Sequence, residues 1–338
     1  MKLRTGYLLK FFVVLIFLFP FLYLPIRGVI YQIKNLAPRS KTAAEPPAII
    51  NAHEHFQSLT NVPKFLEAMK RNDIVTTVIV GSPEATILTG RTGFFGEEKY
   101  NQEVLKIANT YPGQFIAFPT INPRDPAKLE KLKGDLAAGG QGLKLYNGHS
   151  MFHDLPLDDP SMEPVYQYCE ANQIPMLWHV NSGLYQKEFE NVLKKFPRLK
   201  VICPHLCLAS IATGRFEYLM KTYPNLYTDL SFGYIDFLKA GLLRISRDPE
   251  KYRRLITRYQ DRVFFGTDTV VTSAAYKTAD WLSDVTRAYR DMLEKDTYTF
   301  FAIPNMTLRG LALDQKVLEK IYRRNFEKFM KNSYDRLR

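Results

Sequence analysis

Residues 142–179, GLKLYNGHSMFHDLPLDDPSMEPVYQYCEANQIPMLWH, contain a complete strand–helix–strand unit. Gly142–Tyr146 and Ile174–His179 are short apolar runs, and Met162–Ala171 between them carries helical periodicity. Apolar runs without alternation predict strands covered on both faces, hence a parallel sheet. Asp158-Asp159-Pro160 ahead of the helix reads as helix-start chemistry.

Outward from this unit the pattern repeats. Strands are expected at Ala48–Asn51, Ile74–Val80, Phe115–Phe118, Lys200–Cys203, Leu226–Asp229 and Val263–Phe265. Helical patterns at Glu103–Thr110, Pro126–Ala137, Gln186–Lys195 and Ala209–Tyr223 separate most of them. Eight such strands predict a (β/α)8 TIM barrel, an α/β fold of about 250 residues, in this chain of 338. An open doubly wound sheet would need an early glycine-rich phosphate turn, and neither G-x-G-x-x-G nor a Walker-type run occurs. Leu282–Arg338 is expected to be mostly helical. Its Lys316–Lys331 helix packs on the barrel with a basic face turned to solvent or to anionic lipid.

The net charge of +12 is concentrated at the two ends of the chain. Residues 1–41 hold seven basic residues and no acid, residues 316–338 hold eight against three acids, and the body between is neutral. That distribution speaks against nucleic acid as a partner and for a membrane-proximal role. Phe11–Ile26, FFVVLIFLFPFLYLPI, is an unbroken apolar run of 16 flanked by Lys10 and Arg27, whose long side chains can snorkel. It predicts one N-terminal transmembrane helix, with 1–34 as the anchor, 35–47 as a polar linker and 48–338 as the barrel domain. A cleaved signal peptide is the competing reading, although no clear A-x-A site follows. The usual orientation of such an anchor would place the catalytic domain outside the cytoplasm. Three cysteines are too few for a disulfide framework and leave the redox compartment open.

Catalytic groups of a barrel enzyme come from the C-terminal ends of its strands. The first expected strand ends in Asn51-Ala52-His53-Glu54-His55, where residues two apart point the same way and both imidazoles can reach one metal. His179 closes the fifth strand, His205 follows the sixth, and Asp268 follows the eighth. Glu54, facing the other way, reads as structural. Cys203 and Cys207 beside His205 could suggest a soft-metal site, but packed thiols are the more ordinary reading.

These residues carry a resemblance. The pieces IINAHEHF (49–56), INPRDP (121–126), the stretch 142–179, LKVICPHL (199–206), NLYTDLS (225–231), RVFFGTDT (262–269) and RNFEKFM (324–330) resemble the amidohydrolase superfamily. More narrowly, they resemble its amidohydrolase-related (amidohydrolase 2) family of metal-dependent barrel hydrolases and decarboxylases. The sequence departs from that pattern at Asn51, where Asp is frequent, at Cys207, where Gly is frequent, and at Thr267, where Ser is common.

The resemblance implies that His53, His55, His179 and Asp268 hold one divalent metal, expected to be Zn2+, with Asp268 and His205 as catalytic residues. Such a metal lowers the pKa of water to about 7. Asp268 would move the proton, and His205 would stabilise an oxyanion or donate a proton. Lys144, ending the fourth strand, is ambiguous: carboxylated, it would bridge two metals as in two-metal relatives, and otherwise it contacts substrate or pairs with a carboxylate. Tyr146, His149 and His153 are candidate substrate contacts, with solvated loop histidines as the plainer alternative.

The expected activity is hydrolysis of a small-molecule lactone, ester or amide at its carbonyl centre. Non-oxidative decarboxylation of an aromatic or unsaturated acid is the alternative, and a non-catalytic membrane-bound binding protein is a third reading. Membrane lipid is the expected partner of the N-terminal helix, and a homodimer is compatible with the sequence.

Overall fold

The computed structural model describes residues 48–88 and 91–334. The expected anchor and linker lie outside the described residues, among which no helix is long and apolar enough to cross a membrane.

Eight parallel strands run through the body: β1 (Ile49–His55), β2 (Ile74–Val80), β3 (Phe115–Phe118), β4 (Leu143–Gly148), β5 (Met176–Val180), β6 (Val201–Ile202), β7 (Leu226–Asp229) and β8 (Val263–Phe264). They pair in sequence order as β1-β2-β3 and β4-β5-β6-β7-β8. Backbone bonds close both seams. At β3–β4, Lys144 N–H donates to Pro119 C=O at 2.8 Å; at β8–β1, Ala52 N–H donates to Phe265 C=O at 2.8 Å and Asp268 N–H to His53 C=O at 2.9 Å. The result is the expected (β/α)8 barrel, with helices such as Glu97–Thr110, Lys128–Ala137, Glu163–Asn172 and Ser182–Lys195 following their strands.

Two apolar layers result from the two-residue period of the strands. Ile50, Ala52, Val78, Val80, Ile116, Phe118, Leu177, Ile202 and Phe264 fill the barrel, and Phe326, Phe329 and Met330 join them. Residues of opposite parity, such as Ile79, Trp178 and Val201, pack in the outer core with the helices. On β1 a register shift between Asn51 and Glu54 breaks the parity. Ile50 and Ala52 therefore share the barrel interior with His53 and His55 above them, a switch of face that a regular strand could not make.

The last part of the chain differs from expectation. Thr297–Phe300 and Ile303–Arg309 form an antiparallel hairpin, β9–β10, inside the stretch read as helical. Its first strand, Thr-Tyr-Thr-Phe, alternates exposed threonines with buried aromatics, a half-buried strand pattern. Beyond it, Gln315–Glu319 and Asn325–Tyr334 are joined by a π turn at Lys320–Arg324. That turn accommodates the five-residue step from Ile321 to Phe326, and Ile321 C=O accepts the Phe265 N–H at 3.0 Å.

The β3–β4 seam depends on Asn101, whose amide donates to Thr120 C=O at 2.8 Å and accepts the Thr120 N–H at 2.9 Å. Gly81 leaves room for it, since a Cβ there would sit 2.0 Å from Asn101 Oδ1. Asn101 also donates to Asp135 Oδ2 at 2.8 Å. Burial, opposed only in part by that bond, raises the Asp135 carboxyl to about 6. An unfolded aspartate titrates near 3.9. Between roughly pH 4 and 6 the folded chain thus binds the extra proton, and this group's contribution to stability falls as pH rises through that window. Asp135→Asn should raise stability at pH 7 by on the order of 1 kcal/mol, the side chain being partly exposed, and leave it unchanged at pH 4. Urea midpoints of the two proteins at both pH values measure this.

Candidate metal centre

Site residues stand one step above the barrel's apolar filling. Leu177 is followed two residues later by His179, Val80 by Ser82 and Tyr227 by Asp229, so the strand period lifts each polar side chain to the mouth.

Three imidazoles are fixed by what their Nδ1 atoms touch. His53 Nδ1 donates to Asp229 Oδ2 at 3.0 Å, His55 Nδ1 lies 2.7 Å from Ser82 Oγ, and His205 Nδ1 donates to Ser231 C=O at 2.9 Å. Each ring therefore turns Nε2 to the centre, where Asp268 stands. Its Oδ1 is 3.0 Å from His55 Nε2 and 3.8 Å from His53 Nε2, and its Oδ2 is 3.4 Å from His205 Nε2. Anchoring the outer nitrogen on the Asp229 carboxylate or the Ser231 carbonyl fixes the tautomers of His53 and His205 and leaves their lone pairs inward, as a metal-binding histidine requires, whereas the Ser82 hydroxyl at His55 Nδ1 can pair with either tautomer.

Burial sets the protonation states. Burial, aided by Lys144, lowers the pKa of His53, and burial lowers that of His55 to about 4, so both are neutral donors. Burial would raise the Asp268 carboxyl, but His53 and His55 beside it hold it well below the usual range. Asp229 behaves alike: the His53 hydrogen bond outweighs its burial and keeps it ionised. Burial brings Lys144 down to about 8, and its Nζ lies 3.1 Å from His53 Nε2.

His53, His55 and Asp268 form one group whose ligand atoms all lie within 4.8 Å of one another. Two neutral imidazoles and a carboxylate suit a divalent ion by donor type. His53, His205 and Asp229 form a second such group, in which Asp229 is already engaged by His53 Nδ1. His179 is in neither group: its ring faces His149 at 4.4 Å and His205 at 5.1 Å between centroids.

The candidate substrate contacts are placed differently from one another. Tyr146 packs behind His55, its hydroxyl donating to Gly81 C=O at 3.1 Å and standing 3.3 Å from His55 Nδ1. His153 is stacked on Tyr185 at 3.6 Å, with Nδ1 on Asn147 C=O at 2.6 Å and Nε2 3.4 Å from Glu188. His149 faces the site against His179, and burial with Lys144 nearby lowers its pKa to about 4. Cys203 and Cys207, expected as separate packed thiols, are instead paired in a disulfide, with Cα atoms 5.0 Å apart.

Sequence reasoning missed Asp229 as a site residue, although it ends an expected strand and the strand-end rule could have found it. Glu54 was read as structural, and its position shows what it does. Its carboxylate accepts from the N–H groups of His55, Thr269 and Val270 and from the hydroxyls of Thr267 and Thr269, at 2.6–3.2 Å. The four bonds from Thr267, Thr269 and Val270 tie β1 to the segment that carries Asp268, where Asp268 and Val270 both have positive φ, 52° and 54°.

The family model of the amidohydrolases (Amidohydro_2) matches residues 85–330. No curated protein matches the chain. Among solved structures, an uncharacterised TIM-barrel protein from Bordetella bronchiseptica is similar at a TM-score of 0.59 and 17% identity, over 85% of this chain and 99% of that one. 4-Oxalomesaconate hydratase from Rhodopseudomonas palustris is similar at 0.55 and 16%, over 86% and 97%. 2,6-Dihydroxybenzoate decarboxylase from Rhizobium is similar at 0.50 and 17%, over 84% and 98%. Likeness at these identities shows the fold.

Glu54→Gln tests the seam. Whichever way the new amide turns, its NH2 meets backbone N–H donors. A loss of about 3 kcal/mol is expected in urea unfolding, together with weaker metal retention.

Proposed function

The chain belongs to the amidohydrolase family, and we propose that it is a metal-dependent hydrolase of small-molecule lactones, esters or amides. The observation that carries this reading is the placing of ionised Asp268 between inward-facing imidazoles on both of its oxygens.

His53, His55 and Asp268 would hold the metal, with His179 at the end of β5 as the fourth residue. A divalent ion such as Zn2+, when bound there, supplies Lewis acidity, polarising a carbonyl and acidifying water. The chain's own residues handle the protons. Asp268 is the acceptor for the proton of the attacking water and can return it to the leaving atom. His205, fixed through Nδ1, offers Nε2 3.4 Å from Asp268 Oδ2, where it can receive that proton or donate to a developing oxyanion. Asp229 keeps the His53 tautomer constant while charge moves at the centre.

A second reading has an observation of its own. The Lys144 amino group stands at the mouth 3.1 Å from His53 Nε2, where it can meet a substrate that carries a carboxylate. In that case the reaction is decarboxylation of an unsaturated or aromatic acid, with the proton delivered to carbon from His205 or Asp268.

Elemental analysis of the purified full chain should give about one divalent ion per chain. Alanine at His53, His55 or Asp268 should lower that occupancy sharply, and full retention in all three variants would overturn the assignment. His205→Ala should keep the metal and lose roughly 100- to 10,000-fold in kcat. Incorporation of 18O from water into product identifies the hydrolase; release of CO2 without it identifies the decarboxylase.

A further inference from the structure

Four consecutive non-glycine residues after β6 occupy the left-handed region: His205 (φ 59°), Leu206 (54°), Cys207 (55°) and Leu208 (52°). An L-residue disfavours this conformation and normally visits it singly, so a run of four has to be imposed by its surroundings. Neighbours supply part of the hold. Asp229 Oδ1 accepts the His205 N–H at 3.0 Å, Thr228 Oγ1 accepts the Leu206 N–H at 3.1 Å, and Ser182 Oγ donates to Cys207 C=O at 2.6 Å. The Cys203–Cys207 bond is the covalent part: one sulfur comes from the end of β6, the other from inside the turn, and His205 lies midway between them.

We propose that this disulfide is a redox-responsive staple that positions His205, so that reduction loosens the left-handed turn and withdraws the imidazole from Asp268. Cys203 and Cys207 are thus positioning residues. The proposal rests on His205 serving the site as described above. Glycine would hold such a turn without help, and the sequence instead places leucine on both sides of Cys207.

Forming the bond removes a hydrogen from each thiol, joins the two sulfurs, and passes two electrons and two protons to a disulfide-class oxidant, which leaves as a dithiol. A dithiol reductant reverses the step. Both cysteines are buried, but Leu208 and Ile211 beside them are exposed, so the turn opens at its solvent edge.

The test uses the full chain purified without reductant. Alkylation in denaturant should label one cysteine, Cys169, and should label three after reduction. Three labels without reduction would overturn the proposal. Next, amide hydrogen exchange across residues 204–209 should accelerate by about tenfold or more on treatment with dithiothreitol and recover on reoxidation, with β5 unchanged. Unchanged exchange in the turn would also overturn it. Neither reading needs a substrate, so both stand if the enzymatic assignment fails. With turnover in hand, reduction should lower kcat with KM and metal content retained and alter the pH–rate limb that depends on His205. The double variant C203S/C207S should reproduce the reduced protein and ignore the dithiol. Reversible reduction of the wild type carries the test if that variant folds poorly. A looser turn with kcat unmoved would overturn the positioning role.

Discussion

A buried carboxylate on the first strand holds the barrel's mouth together. Glu54 is fully enclosed and accepts five hydrogen bonds, four of them from residues 267–270. An unpaired charge in that position would be costly, whereas one surrounded by donors becomes a fixed point for the backbone that supplies them. Asp268 sits within that backbone in a conformation non-glycine residues rarely adopt. Its carboxylate reaches the centre because Glu54 holds the segment on either side. The same strand presents His53 and His55, so one bulged strand defines the position of the central imidazoles and, through Glu54, of the central aspartate.

The electrostatics follow from that geometry. Burial disfavours protonation of His53 and His55, so both stay neutral beside the ionised Asp268 carboxylate. Asp229 adds a second negative charge, but on the outer side of His53. Negative charge inside and outside the imidazole shell, with neutral lone pairs between, creates a potential that draws a cation to the centre. Lys144 feels the same field, which partly opposes the burial that lowers its pKa.

Much of this was legible in the sequence, and what was hidden has definite physical causes. Strands β2, β3 and β7 end where apolar runs and turn residues predict, because a strand enclosed on both faces has a strong one-dimensional signature. His53, His55, His205 and Asp268 were readable because catalytic barrels place polar groups at strand ends. Hidden were the features set by contacts distant in sequence. The hairpin Thr297–Arg309 lies among helical patterns, and its alternation covers only four residues. The bulge that turns His53 inward depends on pairing with β2. The Cys203–Cys207 pair needs a backbone turn that no propensity scale would assign to His-Leu-Cys-Leu. Asp229 has the signature of the polar end of an ordinary strand, and its partner His53 lies 176 residues away in sequence.

Two departures from the family pattern explain each other once the side chains are in place. Asn51 stands where an aspartate is frequent and Thr267 where a serine is common, and the two touch: Asn51 Nδ2 donates to Thr267 Oγ1 at 2.7 Å. The threonine hydroxyl has one proton, and it gives that proton to Glu54 Oε2 at 2.8 Å. The hydroxyl is then left as an acceptor, and only a donor can satisfy it. An amide meets that need; an ionised aspartate at 51 would put a second buried carboxylate close to Glu54 with no proton to share. Asn51 Oδ1 meanwhile accepts the Thr267 and His53 N–H groups at 3.1 and 3.3 Å. Position 51 therefore acts through its amide as a neutral two-sided connector between β1 and the Asp268 segment. A carboxylate at 51 would require the hydroxyl at 267 to turn its proton toward it, and Glu54 would then lose one of the five donors on which the placement of Asp268 depends.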